Sequence, residues 1–355
     1  MLKSEGILIS VIVPCRNEIR FIRGFLDSVI HQDFTGMDVE VLIADGMSDD
    51  GTRQVLNQYG RTFPALRVLD NPEKIVSTGL NAAIREARGE VIIRMDAHSE
   101  YAPDYLRNCL QILNETGAGN VGGPALTRAD GYLAQAIALA YHTRFACGGA
   151  KFHDPVYEGF VETVTYGCWR KSTLELVGMF DERLVRCEDN DLNRRLIAAG
   201  GKIWQSPKIT SWYRPRSSLL PLFHQYFQYG FWKAAVIRKH RKPASWRHLV
   251  PGTCLLIAIG LLLGAAAASL SGSAWWKSVF VIAGAACAGL YCAASAGASF
   301  LVAKRDGWRF LPALPIVFAT YHLSYGLGSL LGLSYHPTAW DRRSPLRKVL
   351  TAITR

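Results

Sequence analysis

The chain is 355 residues long, carries a formal charge of +11, and is 49% hydrophobic with eight cysteines. That size supports a sizeable core and two units. No C-x-x-C pair occurs among Cys15, Cys109, Cys147, Cys168, Cys187, Cys254, Cys287 and Cys292, which argues against a zinc site or disulfide framework and for a reducing cytosolic setting.

Composition divides the chain. Up to about Lys242 it reads as a soluble α/β domain, whereas residues 249–333 are mostly Leu, Ala, Gly, Ile and Ser. Much of the positive charge lies beside the apolar runs, at Arg238, Lys239, Arg241, Lys242, Lys304, Arg305 and Arg309. That placement suits anionic lipid headgroups and argues against a nucleic-acid partner. Residues 1–6 hold no long apolar segment, so no cleaved leader is expected. Cys254, Cys287 and Cys292 fall in apolar runs and read as small core residues.

In chain order, residues 7–13 form a near-continuous apolar run, the signature of a buried parallel strand. The polar loop Pro14-Cys15-Arg16-Asn17-Glu18 follows, then Phe21, Phe25, Leu26 and Val29 at helical spacing. A second strand over 39–43 leads into Asp45-Gly46-Met47-Ser48-Asp49-Asp50-Gly51 and a helix from Thr52. Residues 66–69 make a short third strand, and 77–88 a helix with Leu80, Ala83, Ile84 and Ala87 on one face. Val91-Ile92-Ile93 then reads as a buried strand ending at Asp96-Ala97-His98. Alternating strands and helices predict a doubly wound sheet, whose ligands bind at the carboxyl ends of its strands.

Those strand ends are acidic. Neither G-x-G-x-x-G nor a G-K-[S/T] loop is present. Carboxylates do not cradle phosphate directly. They accept hydrogen bonds from a base or ribose, and they hold a cation that in turn holds phosphate. Asp96 and His98 alternate along an extended chain, so both can face one cleft and ligate a divalent ion.

Further on, 103–113 and 133–145 are predicted helices, 120–124 a turn or short strand, and 148–159 a mobile loop. Glu188, Asp189 and Asp191 open a helix whose apolar face is Leu192, Leu196 and Ile197. One carboxylate there is explained by the helix dipole; three in four residues are not, because like charges repel.

Taken together, residues 7 to about 232 resemble family 2 glycosyltransferases with the GT-A fold. The likeness is strongest to membrane-attached enzymes of bacterial exopolysaccharide assembly, among them the succinoglycan glucosyltransferase type. The matching motifs, in order, are the P-x-x-N-E loop at Pro14 to Glu18, the D-G-S-x-D loop at Asp45 to Thr52, Gly79-Leu80-Asn81-Ala82-Ala83, the D-x-D region at Asp96-Ala97-His98, and Gly167 with Glu188-Asp189. The resemblance implies a GT-A α/β domain, Rossmann-like with a mostly parallel sheet, followed by a helical transmembrane region. It also implies nucleotide contacts from Pro14, Asn17, Glu18, Asp45, Asp49, Lys74 and Asp96, and a metal held by Asp96 and His98. Asp189 is implied as the general base, with Glu188 beside it. The donor would be a UDP-sugar, and the ion Mn²⁺ or Mg²⁺. His98 replaces the usual last aspartate of D-x-D, and an imidazole there favours Mn²⁺; Glu100 is the alternative ligand.

The domain reading is 1–217 for a cytoplasmic catalytic domain, 218–248 for amphipathic interfacial helices, 249–335 for transmembrane helices, and 336–355 for a basic tail. Gln225 to Trp232 resembles the family's Q-x-x-R-W segment imperfectly; otherwise it reads as an interfacial helix with exposed aromatic anchors. Residues 249–270 are uncharged and, at about 22 residues, long enough to span a bilayer. Trp275, Trp276 and Lys277 suit an interface before 278–303 crosses back. Length makes 311–333 a third crossing. The positive-inside rule opposes this, since Arg342, Arg343, Arg347 and Lys348 would then lie outside, whereas a re-entrant or protein-packed helix would keep them inside.

The expected activity is inverting transfer, forming a β-glycoside, to a polyprenyl-diphosphate-linked oligosaccharide at the bacterial inner membrane, with the catalytic domain in the cytoplasm. The expected partners are the sugar nucleotide, the polyprenyl-linked acceptor, membrane lipids and other polysaccharide-assembly proteins. Transfer to polyprenyl phosphate itself is the alternative, and a non-catalytic membrane sensor of sugar nucleotides is the competing class.

Overall fold

In chain order the elements are β1 (Ile7–Cys15), α1 (Ile22–Ile30), β2 (Met37–Asp45), α2 (Thr52–Thr62), β3 (Leu66–Asp70), α3 (Val76–Glu86), β4 (Val91–Arg94), β5 (Ser99–Tyr101) and α4 (Tyr105–Thr116). Then come β6 (Asn120–Gly123), β7 (Leu126–Thr127), α5 (Tyr132–Tyr141), α6 (Arg144–Cys147), β8 (Gly159–Phe160), β9 (Thr165–Arg170), α7 (Lys171–Leu176), α8 (Glu188–Ala198), β10 (Ile203–Gln205) and β11 (Ser211–Tyr213). Four long helices complete the described residues: α9 (Leu219–His240), α10 (Val250–Leu270), α11 (Ala274–Asp306) and α12 (Leu314–Ser334). The computed structural model describes residues 7–334. The basic tail read at 336–355 and the leader question at 1–6 lie outside the described residues.

The first unit comprises residues 1–128 and 151–214. Its eight-stranded sheet has the order β3-β2-β1-β4-β9-β6-β10-β8. The pairs β1–β2, β2–β3, β1–β4 and β6–β10 are parallel, while β9 runs antiparallel to both β4 and β6. The sheet is therefore mostly parallel and covered on both faces. Ile9, Val11, Val41, Ile43, Val91 and Ile93 pack on Phe25, Leu26, Leu56, Leu106 and Ile112. Ile12, Leu42 and Ile92 point the other way, onto Leu80, Ala83, Ile84, Trp169 and Leu192. That alternation is the two-residue period of a strand buried on both sides.

Register fixes where the polar groups emerge. Cys15 pairs with Asp45, Asp45 with Asp70, and Ile12 with Arg94, so the carboxyl ends of four neighbouring strands share one edge. A three-stranded sheet, β5-β11-β7, lies apart from the main one in strand order.

The second unit comprises 129–150 and 215–355. Residues 129–150, read from the sequence as part of the first domain, belong here because α5 is apolar on several sides. Its Ala136, Ile137 and Ala140 bury against Leu222, Val317 and Phe318. Among the described residues three helices, Trp246–Leu270, Ala274–Asp306 and Leu314–Leu333, are long and apolar enough to cross a membrane.

Four local expectations change. The segment expected as a mobile loop contains a short 3-10 turn at Lys151–His153 with His153 buried. Ile197, expected on the buried face of its helix, is 45% exposed, while Leu192 and Leu196 are buried. Phe231 and Trp232, expected as exposed anchors, are buried because α9 packs along α12. Cys254, Cys287 and Cys292 are exposed on α10 and α11, where long apolar helices show most of their surface outward.

Candidate active site

Two loops on the first edge interlock. After β1, the Asn17 Nδ2 donates to Asp49 Oδ1 at 3.0 Å, and the Asp49 N–H donates back to Asn17 Oδ1 at 3.1 Å. The Asn17 N–H donates to Ser48 Oγ at 2.9 Å and the Glu18 N–H to Thr52 Oγ1 at 2.8 Å. Asn17 and Met47 hold left-handed backbone angles, φ 55° and 57°. Such conformations persist only where the surroundings fix them, and they concentrate at binding loops.

Asp45 is deeply buried at 1% exposure and accepts from Ser48 Oγ at 2.5 Å and Arg53 Nη1 at 3.1 Å. Arg53 also reaches Asp70 Oδ1 at 2.7 Å. Asp45 thus shapes the loop, while Asn17 and Asp49 form its exposed surface. Pro14 lies within β1, opposite Ala44. Lys74 is exposed at φ 61°, closing a turn whose Asn71 N–H donates to the Asp45 carbonyl at 2.9 Å.

Beyond β4 the chain turns at Asp96, whose N–H donates to Tyr101 Oη at 2.6 Å. His98 Nδ1 lies 3.3 Å from Glu18 Oε1 and 3.8 Å from Asp96 Oδ1. Two carboxylates and an imidazole, all partly exposed, therefore meet there. Among the described residues no group of three or more His, Cys, Asp or Glu is placed to hold a metal by itself. Asp96 and His98 could contribute two ligands to a divalent ion whose remaining ligands came from elsewhere, and their mixed oxygen and nitrogen donors would suit Mn²⁺. Glu100 is less suited: its carboxylate is engaged by Arg128 at 2.5 Å and Arg214 at 2.6 Å.

The remaining side of the site is built by β9 and α8. Gly167 has φ 113°, and a Cβ there would strike the Trp169 ring and Asn120 Oδ1, so the position admits glycine alone without rearrangement. Cys187, at φ 60°, turns the chain into α8 and presents its acidic first turn. The three carboxylates then diverge. Glu188 is buried and receives Arg94 Nη1 at 3.1 Å. Asp191 is fully buried and bound to Arg195 Nε at 2.9 Å. Asp189 alone of the three keeps solvent access, with its Oδ1 accepting from the Asn190 N–H at 2.7 Å and Nδ2 at 2.8 Å.

Arg94 is the residue that sequence reasoning missed. It ends a strand of apolar residues, and a lone buried charge in such a strand is itself a signal. Its Nη2 lies 3.7 Å from Asp96 Oδ2, so one guanidinium faces both Asp96 and Glu188. Burial works against its charge, but Glu188, Asp96 and Asp189 together hold its pKa above the ordinary arginine value. Burial pushes the Glu188 carboxyl up, Arg94 opposes that, and Asp189 adds to it.

Gln225 to Trp232 belongs to α9 in the second unit. There Gln228 and Trp232 are buried, and Gln225 Nε2 donates to Tyr229 Oη at 3.1 Å.

Comparison with known proteins places the chain in a family. Residues 10–151 fit the model of glycosyl transferase family 2. The succinoglycan biosynthesis protein ExoA of Rhizobium meliloti (strain 1021) is 30% identical over 320 residues, 90% of this chain and 92% of that one. A dolichyl N-acetyl-alpha-D-glucosaminyl phosphate 3-beta-D-2,3-diacetamido-2,3-dideoxy-beta-D-glucuronosyltransferase of Methanococcus voltae is 28% identical, covering 72% of this chain and 81% of its own. Among solved structures, the mannosyltransferase PcManGT from Pyrobaculum calidifontis, in complex with GDP-Man and Mn²⁺, superposes with a TM-score of 0.57 at 20% identity, covering 91% of this chain and 86% of that chain. That likeness is one of fold.

Proposed function

The chain belongs to glycosyl transferase family 2, and on that premise we propose that it is an inverting transferase of exopolysaccharide assembly. It moves a sugar, glucose in this reading, from a UDP-sugar to a hydroxyl of a polyprenyl-diphosphate-linked oligosaccharide and leaves a β-glycoside. The observation that carries this reading is Arg94, which lies 3.1 Å from Glu188 Oε1 and 3.7 Å from Asp96 Oδ2. It ties the carboxylate assigned to the donor diphosphate to the pair assigned to the acceptor.

In this reading Pro14, Asn17, Glu18, Asp45, Asp49 and Lys74 shape and line the nucleotide site. Asp96 and His98 would hold Mn²⁺ or Mg²⁺, which when bound offsets negative charge on the departing nucleoside diphosphate. Asp189 takes the proton of the acceptor hydroxyl as its oxygen bonds to the anomeric carbon. The bond from that carbon to the diphosphate oxygen breaks on the opposite face, which inverts the centre. Glu188, fixed by Arg94, orients the turn that presents Asp189.

The name of the Rhizobium relative supports a polysaccharide pathway, and that of the Methanococcus relative supports a lipid-linked sugar as acceptor. The basic residues flanking α10 and α11 support a cytoplasmic catalytic side.

The test is transfer by the purified protein from a panel of uridine, guanosine and thymidine diphosphate sugars, with Mn²⁺, to lipid-linked saccharides and to polyprenyl phosphate. Transfer to a lipid-linked saccharide from a uridine donor is expected. Transfer to polyprenyl phosphate alone would replace the acceptor assignment, and nucleotide binding without transfer to any acceptor would favour a sensor.

A further inference from the structure

We infer that α12 is not a third membrane crossing, and that α9 and α12 form a parallel pair which begins and ends on one side of the bilayer. Length and hydropathy alone admit α12 as a span. Its neighbours exclude it.

The two helices run in the same direction. Leu222 of α9 shares a cluster with Val317 and Phe318 of α12, and the rings of Tyr226 and Tyr321 lie 4.3 Å apart. Next, a Cβ on Gly230 would collide with the Tyr325 carbonyl, and one on Gly332 with the Phe231 carbonyl. At the far end Arg238 Nη2 donates to the Leu333 carbonyl at 2.6 Å. Contact thus advances along both sequences together, and glycines let the two backbones touch.

The remaining helices fix the side. α10 and α11 pack as a hairpin joined by a short turn, with Gly264 against Phe280. If both cross, the start of α10 and the end of α11 share a side. The end of α9 is joined to α10 by a short basic segment, so it lies on that side as well. The start of α12 follows α11 after another short basic segment and packs there: Phe310 and Leu314 cluster with Val302. The end of α12 lies beside the end of α9 and the start of α10, where a Cβ on Gly326 would press on the Pro251 carbonyl and Gly252 faces Ser329. Both ends of α12 are therefore on the side where α10 starts.

Helix lengths and burial agree. α11 has 33 residues and α10 has 21, so α11 overshoots its partner by roughly 18 Å at 1.5 Å per residue. The buried residues of α11 are Ser295, Ser299, Val302 and Ala303, all in the overshoot. α12 descends from that overshoot to the first turns of α10, and 44% of its apolar window is buried, against 6% in each of the other two. Arg238, Lys239, Arg241, Lys242 and Arg247 lie at one end of the pair and Lys304, Arg305 and Arg309 at the other. The first cluster, beside the start of α10, suits the anionic headgroups of one leaflet, and the second lies beyond it on the same side.

The experiment uses the full chain in cells. Single cysteines replacing Ser273 and Gly307, read against the unsubstituted protein with an impermeant thiol reagent, report the two ends of α11. A fluorescent protein or alkaline phosphatase fused after Arg355 reports the chain end by a positive signal on either side. The expected result is Ser273→Cys on one face, with Gly307→Cys and the fused reporter together on the other. A reporter on the Ser273 face would overturn the inference whichever way the hairpin is inserted, and so would labelling of both cysteines from one face.

Discussion

Arg94 Nη1 lies 3.1 Å from Glu188 Oε1, joining the last residue of a sheet strand to the first residue of a helix 94 positions later in sequence. Both side chains are buried. A buried pair of this kind is costly to break from one side and cheap to replace as a whole. Arg94→Met should therefore destabilise the fold by about 3–5 kcal/mol. The double variant with Glu188→Met should recover most of that stability without recovering turnover. Denaturant unfolding and transfer rates measured on the same preparations check both. Arg94→Lys keeps the charge but not the two-headed reach, and should fold while losing roughly tenfold or more in turnover.

His98 lies close to Glu18 and Asp96, and its ring supplies nitrogen where the family motif supplies oxygen. His98→Asp should retain activity and shift the preferred ion from Mn²⁺ toward Mg²⁺. His98→Ala should weaken nucleoside diphosphate binding in the presence of Mn²⁺ and leave binding without metal nearly unchanged. Calorimetric titration of both variants with each ion decides it; an unchanged metal profile would remove His98 from the ion site.

A stability prediction with a pH signature comes from β2. Glu40 accepts from Ser10 Oγ at 2.7 Å, from the Arg88 N–H at 2.6 Å and from Arg88 Nε at 3.0 Å. Burial works against its charge, but those donors together hold its carboxyl below the ordinary 4.5. A depressed folded pKa stabilises the fold above the unfolded value, and that stabilisation is lost as pH falls through the folded one. Glu40→Gln should cost about 1–3 kcal/mol at neutral pH. The gap to the parent should close only below pH 4.5. Equal stability at pH 7 would contradict this role.

Much of the first unit is legible in the sequence because the central residues of β1, β2 and β4 are buried on both faces and read as near-continuous apolar runs, interrupted only by Ser10, Glu40 and Arg94. The antiparallel β9 is not. Its Thr165 to Arg170 shows no clear period, and its place between β4 and β6 depends on contacts distant in sequence. The loop chemistry at Asn17, Asp45 and Asp49 is legible as residue types, but their mutual bonding is not, since it joins positions about thirty residues apart. Arg94 escaped notice because hydropathy registers a strand and not the partner of its one charge. The burial of Trp232 and the pairing of α9 with α12 escaped for a related reason: Gly230, Gly328 and Gly332 mark close backbone contacts whose partners lie about a hundred residues away.

The first turn of α8 separates three carboxylates by their partners. Asp191 is bound to Arg195, so Asp191→Asn should lower stability more than turnover. Glu188→Gln should weaken the grip of Arg94 and give an intermediate loss of rate.

The general-base role falls to Asp189, the one of the three with solvent access. The most direct measurement is single-turnover transfer by Asp189→Asn with saturating donor and acceptor, alongside the donor dissociation constant. The substitution keeps the size of the side chain and removes its ability to take a proton. Turnover should fall by roughly 10²-fold or more with donor affinity nearly unchanged. Normal turnover by Asp189→Asn would rule out Asp189 as the base and with it the proposed displacement.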